Sequence, residues 1–333
     1  MHDKPVTVAV DAMGGDHAPD VVIDGVRTAL QQDASLCVLL VGTEEVLASF
    51  EHERCTAVVA TETIAMDEHP ASAVRSKKDS SIVVGCRLVR EGRARGFFSA
   101  GSTGACMAAA TLGMGRLSGV VRPALATVIP AGARPTTLID IGANADVKAE
   151  MIVQFAYMGS AYSRVLLGVE EPTIGLLNIG EEPTKGSALA QEAYALLGEV
   201  PGFVGNVEGA DVPSGVVDVI VTDGFTGNVT LKVLEGLSRV LLGEVKTALT
   251  SSIAAKMAAA VVQPSLIALK ERLDPDVYGG APLLGVNGVC MIGHGSSNAR
   301  AVASGVAATA RAIRGDLTGQ IAASFTPSAG VDA

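Results

Sequence analysis

Lys185, a set of asparagines and three glycine-rich runs are the residues of this chain whose types and spacing suit chemistry on an anion. The runs are "MGGD", "GSTG" and "GHGSSN", which carry Gly14, Gly15, Ser102, Thr103, His294, Ser296 and Asn298. Where such a run opens a helix, its backbone N–H groups point outward and the partial positive charge there favours phosphate. Lys185 adds a mobile full charge. Asn144, Asn178, Asn228 and Asn298 add neutral donors, useful for an oxyanion that develops during acyl transfer.

Several other chemistries are excluded by spelling. "GEEPTKGS" from Gly180 to Ser187 has Lys-Gly where a P-loop needs Gly-Lys, and no GxGxxG follows a strand pattern. "AGSTG" around Ser102 approximates a nucleophile elbow but lacks its first glycine, and a helix N-cap explains Ser102 equally well. The histidines are isolated and form no HExxH, so no metal site is expected. Asp11, Asp16 and His17 read as scaffolding, the acids capping turns and ordering Gly14 and Gly15.

The hydropathy pattern supplies the elements that must hold these positions. Apolar, β-branched runs repeatedly end in glycine plus polar residues, after which helical periodicity begins. Val6 to Val10 leads into "DAMGGD", Phe97 and Phe98 into "SAGSTG", and Leu138 to Ile141 into "DIGAN". Ile174 to Leu177 leads into "NIGEEPTKG", Val217 to Val221 into "TDGFTGN", and Val289 to Ile292 into "GHGSSN". A doubly wound sheet gathers the carboxyl ends of its strands on one edge, so one composite site is expected. Helices are predicted over 19–32, 71–90, 102–117, 146–167, 187–197 and 298–314, with a longer helical region over about 228–272 broken at Pro264.

Composition agrees with an α/β class. Of 333 residues, 48% are hydrophobic, 38 are glycine and only 3% are aromatic, which suits Ala/Val/Leu helices on a buried, mostly parallel sheet. Length alone allows one large domain or two ordinary ones, a single α/β unit with an insertion included, and only the tail reads as unstructured. A net charge of −10 argues against nucleic-acid binding. The cysteines form no CxxC pair, which fits inert thiols in a reducing cytoplasm, and the N-terminal run lacks the regions of a signal peptide.

Two stretches stand apart from that background. Residues 75–96 concentrate Arg75, Lys77, Lys78, Arg87, Arg90, Arg93 and Arg95, which fits either a solvated helix face or a dock for an acidic protein or phosphate groups. Residues 253–273 are too polar for a confident bilayer span and fit a buried hairpin, a dimer contact or a lipid-facing surface.

The blocks "VAVDAMGGDHAP", "DEHPASAVRSKKDSS", "FFSAGSTGA", "LIDIGAN", "LLNIGEEPTKG", "VTDGFTGNVTLK", "YGGAPLLGVNG" and "GHGSSNARA" occur in order over nearly the whole chain. Together they resemble the bacterial phosphate acyltransferase (PlsX) family of phospholipid synthesis. The resemblance implies transfer of a long-chain acyl group from acyl carrier protein to inorganic phosphate, giving acyl phosphate and free carrier. It implies a homodimer of one three-layer α/β/α, mostly parallel and Rossmann-like domain over 1–325, with a helical hairpin inserted at about 238–274 and a flexible tail over 326–333, related to isocitrate and isopropylmalate dehydrogenases and phosphotransacetylases. Peripheral membrane association, no cofactor, and a downstream acyl-phosphate:glycerol-3-phosphate acyltransferase as a partner are implied as well. The family's catalytic lysine carries over to Lys185 and its catalytic asparagine to Asn228. The membrane contact would fall at about 253–273, a stretch that is Ala-rich and has no aromatic residue. Two other readings stay open: a non-catalytic membrane-associated scaffold, and an NAD-dependent decarboxylating dehydrogenase on a similar fold.

Overall fold

The computed structural model describes residues 5–130, 132, 134–272 and 275–325, so the tail expected over 326–333 lies outside the described residues. In chain order its strands are β1 (Val6–Asp11), β2 (Leu36–Gly42), β3 (Cys55–Val59), β4 (Gly96–Ser99), β5 (Ala124–Ile129), β6 (Thr136–Ile139), β7 (Ile174–Asn178), β8 (Phe203–Glu208), β9 (Val219–Val221), β10 (Ala281–Leu284) and β11 (Val289–Ile292). The helices are α1 (Asp20–Gln32), α2 (Glu44–Leu47), α3 (Pro70–Ser76), α4 (Ser81–Arg90), α5 (Thr103–Ala109), α6 (Ala149–Tyr162), α7 (Ala188–Leu197), α8 (Gly224–Thr250), α9 (Ile253–Arg272), α10 (Ala299–Arg314) and α11 (Leu317–Phe325).

The strands form one sheet in the order β3-β2-β1-β4-β11-β10-β5-β6-β9-β7-β8. Its inner strands are largely buried on both faces, which is why they read as continuous apolar runs rather than as alternation, while the edge strands β3 and β8 are partly exposed. Helices α1, α6, α7, α10 and α11 cover one face. Helices α3, α4 and α5 and the base of α8 cover the other. This is the mostly parallel, three-layer α/β/α architecture expected from the sequence.

The expected gathering of all six loops on one edge is corrected by the strand directions. β3, β2, β1, β4 and β11 are mutually parallel. β10 is antiparallel to β11, β5 to β10, and β6 to β5. After these three reversals β6, β9, β7 and β8 are again parallel to one another, but opposite in sense to the first set. The carboxyl ends of β1, β4 and β11 therefore form one group, and those of β6, β9 and β7 a second.

Helices differ from expectation at four places. The run 71–90 divides into α3 and α4, because Asp79 accepts the Thr61 N–H (3.0 Å) and hydroxyl (2.8 Å) and pins the intervening turn to another segment. The helices opening at Thr103 and Ala149 each finish in a turn of π-helix, at Ala110–Met114 and Ser163–Leu167. In the long helical region the break falls at Ser251 and Ser252 rather than at Pro264, which lies inside α9. The Ser251 hydroxyl donates to the Ala248 carbonyl (2.8 Å) and the Ser252 hydroxyl accepts from the Ala255 N–H (3.1 Å), so serine caps end α8 and start α9. The two helices meet at 119°, and among the described residues no single helix is long and apolar enough to cross a membrane.

One ion pair ties the chain's ends to the first half of the sheet. Arg314, at the end of α10, bonds Asp33 at 2.7 Å with side chains only 5% and 17% exposed. Burial works against ionisation of Asp33, but Arg314 and Ser35 donate to it and hold the carboxyl below its usual range. A carboxyl lowered by folding stabilises above its unfolded pKa of about 4 and loses that contribution as pH falls through the folded value. Asp33→Asn is expected to cost about 1.5–3 kcal/mol at pH 7, with the difference from wild type shrinking below about pH 4. Denaturant melts at several pH values check this.

Candidate active site

The exits of β1, β4 and β11 interlock. The Asp16 N–H donates to the Gly295 carbonyl and the Gly293 N–H to the Ser99 carbonyl, both at 2.8 Å. Asp11 is buried among them, its carboxylate accepting the Met13 N–H (2.9 Å) and the Ser99 hydroxyl (2.7 Å). Burial pushes the Asp11 carboxyl up, against the pull of these donors. Gly14 has to be glycine here, because a Cβ would stand 2.6 Å from both the Asp11 carboxylate and the Gly101 nitrogen. Asp11 thus shapes the loop from beneath, and Gly15 continues it at φ 110°.

Ser102 caps α5 by accepting the Ala105 N–H (3.4 Å), and Asn298 caps α10 by accepting the Ala301 N–H (3.0 Å). Thr103, His294, Ser296 and Asn298 are exposed. The Ser296 N–H donates to His294 Nδ1 (3.2 Å), an arrangement that leaves Nε2 to carry the neutral ring's proton. This first cluster is a set of helix starts and donors with no lysine among its members.

The second cluster leaves β6, β9 and β7, which are adjacent in the sheet. Asp140 follows β6 and is fully buried, accepting backbone N–H groups of Leu125 (3.2 Å), Gly142 (3.1 Å), Ala143 (2.9 Å) and Asn144 (2.8 Å). Burial raises this carboxyl, with the backbone donors Ala143, Gly142 and Leu125 and the Asn144 amide opposing. The Asn144 side chain is spent on Asp140 (2.8 Å) and the Pro123 carbonyl (2.9 Å). Its backbone carbonyl accepts the Gly224 N–H (2.8 Å) and so docks the start of α8. Asp223 caps that helix through the Thr226 N–H (2.8 Å) and hydroxyl (2.7 Å).

Asn228 stands one turn further on, exposed, and among the described residues no hydrogen bond engages its amide. Lys185 stands on the loop after β7, its side chain half exposed and its ammonium 3.9 Å from Glu182. The Asn178 amide donates to the Lys185 carbonyl (3.2 Å) and its oxygen accepts the Ile179 N–H (2.9 Å), so Asn178 holds the loop. Of the four asparagines singled out, Asn144 and Asn178 are structural, Asn298 is a cap, and Asn228 alone keeps an unengaged side chain. Asp140, Asn206 and Gln191, which organise this second cluster, were not among the residues singled out.

The basic run is split by the fold. Lys77 pairs with Glu68 (2.7 Å), and Arg87 lies 3.8 Å from Asp79 and 3.9 Å from Glu91. Arg75, Lys78, Arg90 and Arg93 are exposed. Arg75 and Lys78 lie at the α3 end, where α3 packs against α5, while Arg90 and Arg93 lie at the far end of α4, next to the start of β4. Cys86, Cys106 and Cys290 are buried and Cys37 and Cys55 partly so. Burial pushes the Cys106 thiol up to about 12 and Cys55 to about 11, so neither is a thiolate at neutral pH.

Residues 6–319 match a family model described as fatty acid synthesis protein. The phosphate acyltransferase of Heliobacterium modesticaldum is 50% identical over 303 residues, covering 89% of this chain and 90% of that one. The chain belongs to the phosphate acyltransferase family. The phosphate acyltransferase of Acidobacterium capsulatum is 45% identical over 330 residues, with 97% and 98% of the two chains covered. As a phosphate acyltransferase the protein is an enzyme of acyl transfer to phosphate in fatty acid and phospholipid synthesis. In fold it is similar to a phosphotransacetylase from Streptococcus pyogenes, with a TM-score of 0.62 at 16% identity over 93% of this chain and 94% of that one. A branched-chain phosphotransacylase from Enterococcus faecalis gives 0.58 at 14% identity, covering 92% and 98%.

Proposed function

We propose that this phosphate acyltransferase takes a long-chain acyl group from the thioester of acyl carrier protein and passes it to inorganic phosphate at the Lys185 and Asn228 cluster. The observation that carries the reading is their placement. One free amide, past the first turn of the helix that follows β9, and one loosely paired ammonium, on the loop after β7, come from adjacent parallel strands. A phosphate between them would replace the Glu182 carboxylate as the partner of Lys185, and Asn228 would donate to phosphate or to the thioester oxygen.

The reaction asks little of proton chemistry. Phosphate at neutral pH carries an ionised oxygen, its second ionisation lying near the phosphoester value of about 6. That oxygen attacks the thioester carbon and the tetrahedral oxyanion collapses. The C–S bond then breaks to release a thiolate whose thiol pKa is about 8.5. Orientation and donors to the oxyanion are what the protein must supply. The N–H groups around Gly14, Gly15, Ser102, Thr103, Ser296 and Asn298 suit the second task.

The carrier is acidic by its role in this reading, and the exposed arginines and lysines of the 75–96 run are its proposed dock. Arg75 and Lys78 lie nearer the α5 start than Arg90 and Arg93, which stand about 15 Å away along α4. Charge reversal of Arg75 and Lys78 is expected to raise the carrier KM about tenfold and to steepen its salt dependence, with kcat within about twofold. Reversal of Arg90 and Arg93 should act in the same direction but less. If neither pair moves the KM, the run is only a solvated surface.

We infer a homodimer with peripheral membrane contact in the cytoplasm, and a downstream acyl-phosphate:glycerol-3-phosphate acyltransferase to consume the product. What supports the first two is the apolar surface of the projecting pair α8 and α9. Val233, Leu237 and Val240 are 61%, 53% and 62% exposed on α8, and Ile253 and Val261 are 81% and 80% exposed on α9. Such a surface fits a partner rather than water.

A further inference from the structure

We propose that Asn206 is a positioning residue for Lys185, acting by clamping the backbone of the loop that carries it. The inference rests on the assignment of Lys185 to phosphate. Asn206 lies on β8, at the edge of the sheet, paired in register with Leu176 of β7. Its amide nitrogen reaches past β7's exit and donates to two successive loop carbonyls, Glu181 (3.4 Å) and Glu182 (2.9 Å). The Glu182 carbonyl also accepts the Lys185 N–H (3.0 Å). One oxygen therefore joins the sheet, through Asn206, to the backbone of Lys185.

Little else could hold this part of the loop. Residues 181–185 are exposed, and Ile179, the large apolar side chain at the loop's entrance, is 80% exposed and anchors nothing. The remaining ties are also amides. Asn178 donates to the Lys185 carbonyl, and Gln191 of α7 donates to the carbonyls of Thr184 (2.9 Å) and Gly186 (3.3 Å). Asn206 differs from these in bracing the loop from a neighbouring strand.

Two features of Asn206 make sense only if it serves the loop. Asparagine is disfavoured inside strands, where β-branched residues pack better. Its side-chain oxygen is also buried without a hydrogen-bond partner. An orphaned buried acceptor works against folding. A stability-driven choice at this position would remove both penalties and keep none of the donors.

The test compares Asn206→Ala and Asn206→Asp with wild type, each alone and combined with Lys185→Ala, in steady-state assays that vary phosphate at saturating acyl thioester. Asp keeps the shape of Asn but has no N–H to donate. Both variants are expected to raise the phosphate KM about tenfold or more, since small misplacements of a binding group are costly, while leaving the acyl-thioester KM unchanged. Asn206→Ala should melt no lower than wild type, which separates positioning from a structural role. In the Lys185→Ala background the Asn206 substitutions should have no further effect, because the group they position is gone. If Lys185→Ala loses activity while the Asn206 variants keep the wild-type phosphate KM, the clamp is refuted and the Lys185 assignment survives. Equal factors in both backgrounds would also refute it. If Lys185→Ala keeps wild-type phosphate kinetics, the underlying assignment itself fails.

Discussion

Lys185→Ala is expected to lower phosphate-dependent turnover by ~10²–10³, the usual loss when a donor that stabilises developing charge is removed. In an acidic protein of net charge −10, the loop after β7 is a place where phosphate needs a positive partner. Lys185 can supply it, because its side chain is half exposed and its ammonium is held, among the described residues, only by Glu182 at 3.9 Å. A pair so long and so solvated contributes little to folding, about 0–1 kcal/mol, so the melting temperature should hardly move. Activity and stability thus separate. A wild-type rate in the variant would mean that Lys185 is only a surface lysine pairing with Glu182, and a large loss of stability would mean that its role is structural.

The second large effect is expected at Gly227. In the first turn of α8 this residue presses onto the buried Asp140, and a Cβ there would overlap the Asp140 carbonyl oxygen, which is backbone and has nowhere to go. Gly227→Ala should therefore push α8 outward. That shift would strain the Gly224 to Asn144 hydrogen bond (2.8 Å) and displace Asn228, the next residue. The expected cost is about 1–3 kcal/mol from overpacking, and a 1 Å shift of Asn228 would take activity down by about 10². Gly236, nine residues along the same helix, has nothing within 4 Å of its Cβ position. Gly236→Ala should instead stabilise by about 0.5–1 kcal/mol through helix propensity. Thermal melts and turnover of both variants check the pair, and stabilisation of both would show that α8 does not seat on Asp140.

Which features were legible in the sequence follows from what each element does. The exits of β1, β4, β6, β7, β9 and β11 carry glycine, a polar side chain and the start of a helix, so both the strands and their loops could be read. Lys185 and Asn228 fall on such exits. Strand direction left no trace, because an apolar run such as "ALATVI" in β5 is the same signal whichever way it points, and the reversal at β10 and β5 depends on long-range pairing. The misplaced helix break has a local cause. Pro264 is a strong breaker by propensity, yet the side-chain caps at Ser251 and Ser252 decided the outcome. Asn206 was invisible for a different reason: β8 alternates weakly between exposed and buried residues, and its carbonyl partners lie 24 and 25 positions away. Asp140 sat in plain view within "LIDIGAN", but only the fold reveals that its carboxylate gathers four backbone N–H groups.

The most direct measurement is to mix the purified protein with palmitoyl-acyl carrier protein, with and without inorganic phosphate, and to follow free carrier thiol and acyl phosphate together by mass spectrometry. The expected result is phosphate-dependent appearance of both products in equal amounts. Thiol release that ignores phosphate would contradict it and turn attention to Ser102 as a thioesterase nucleophile, and no release at all would leave a scaffold in place of the enzyme.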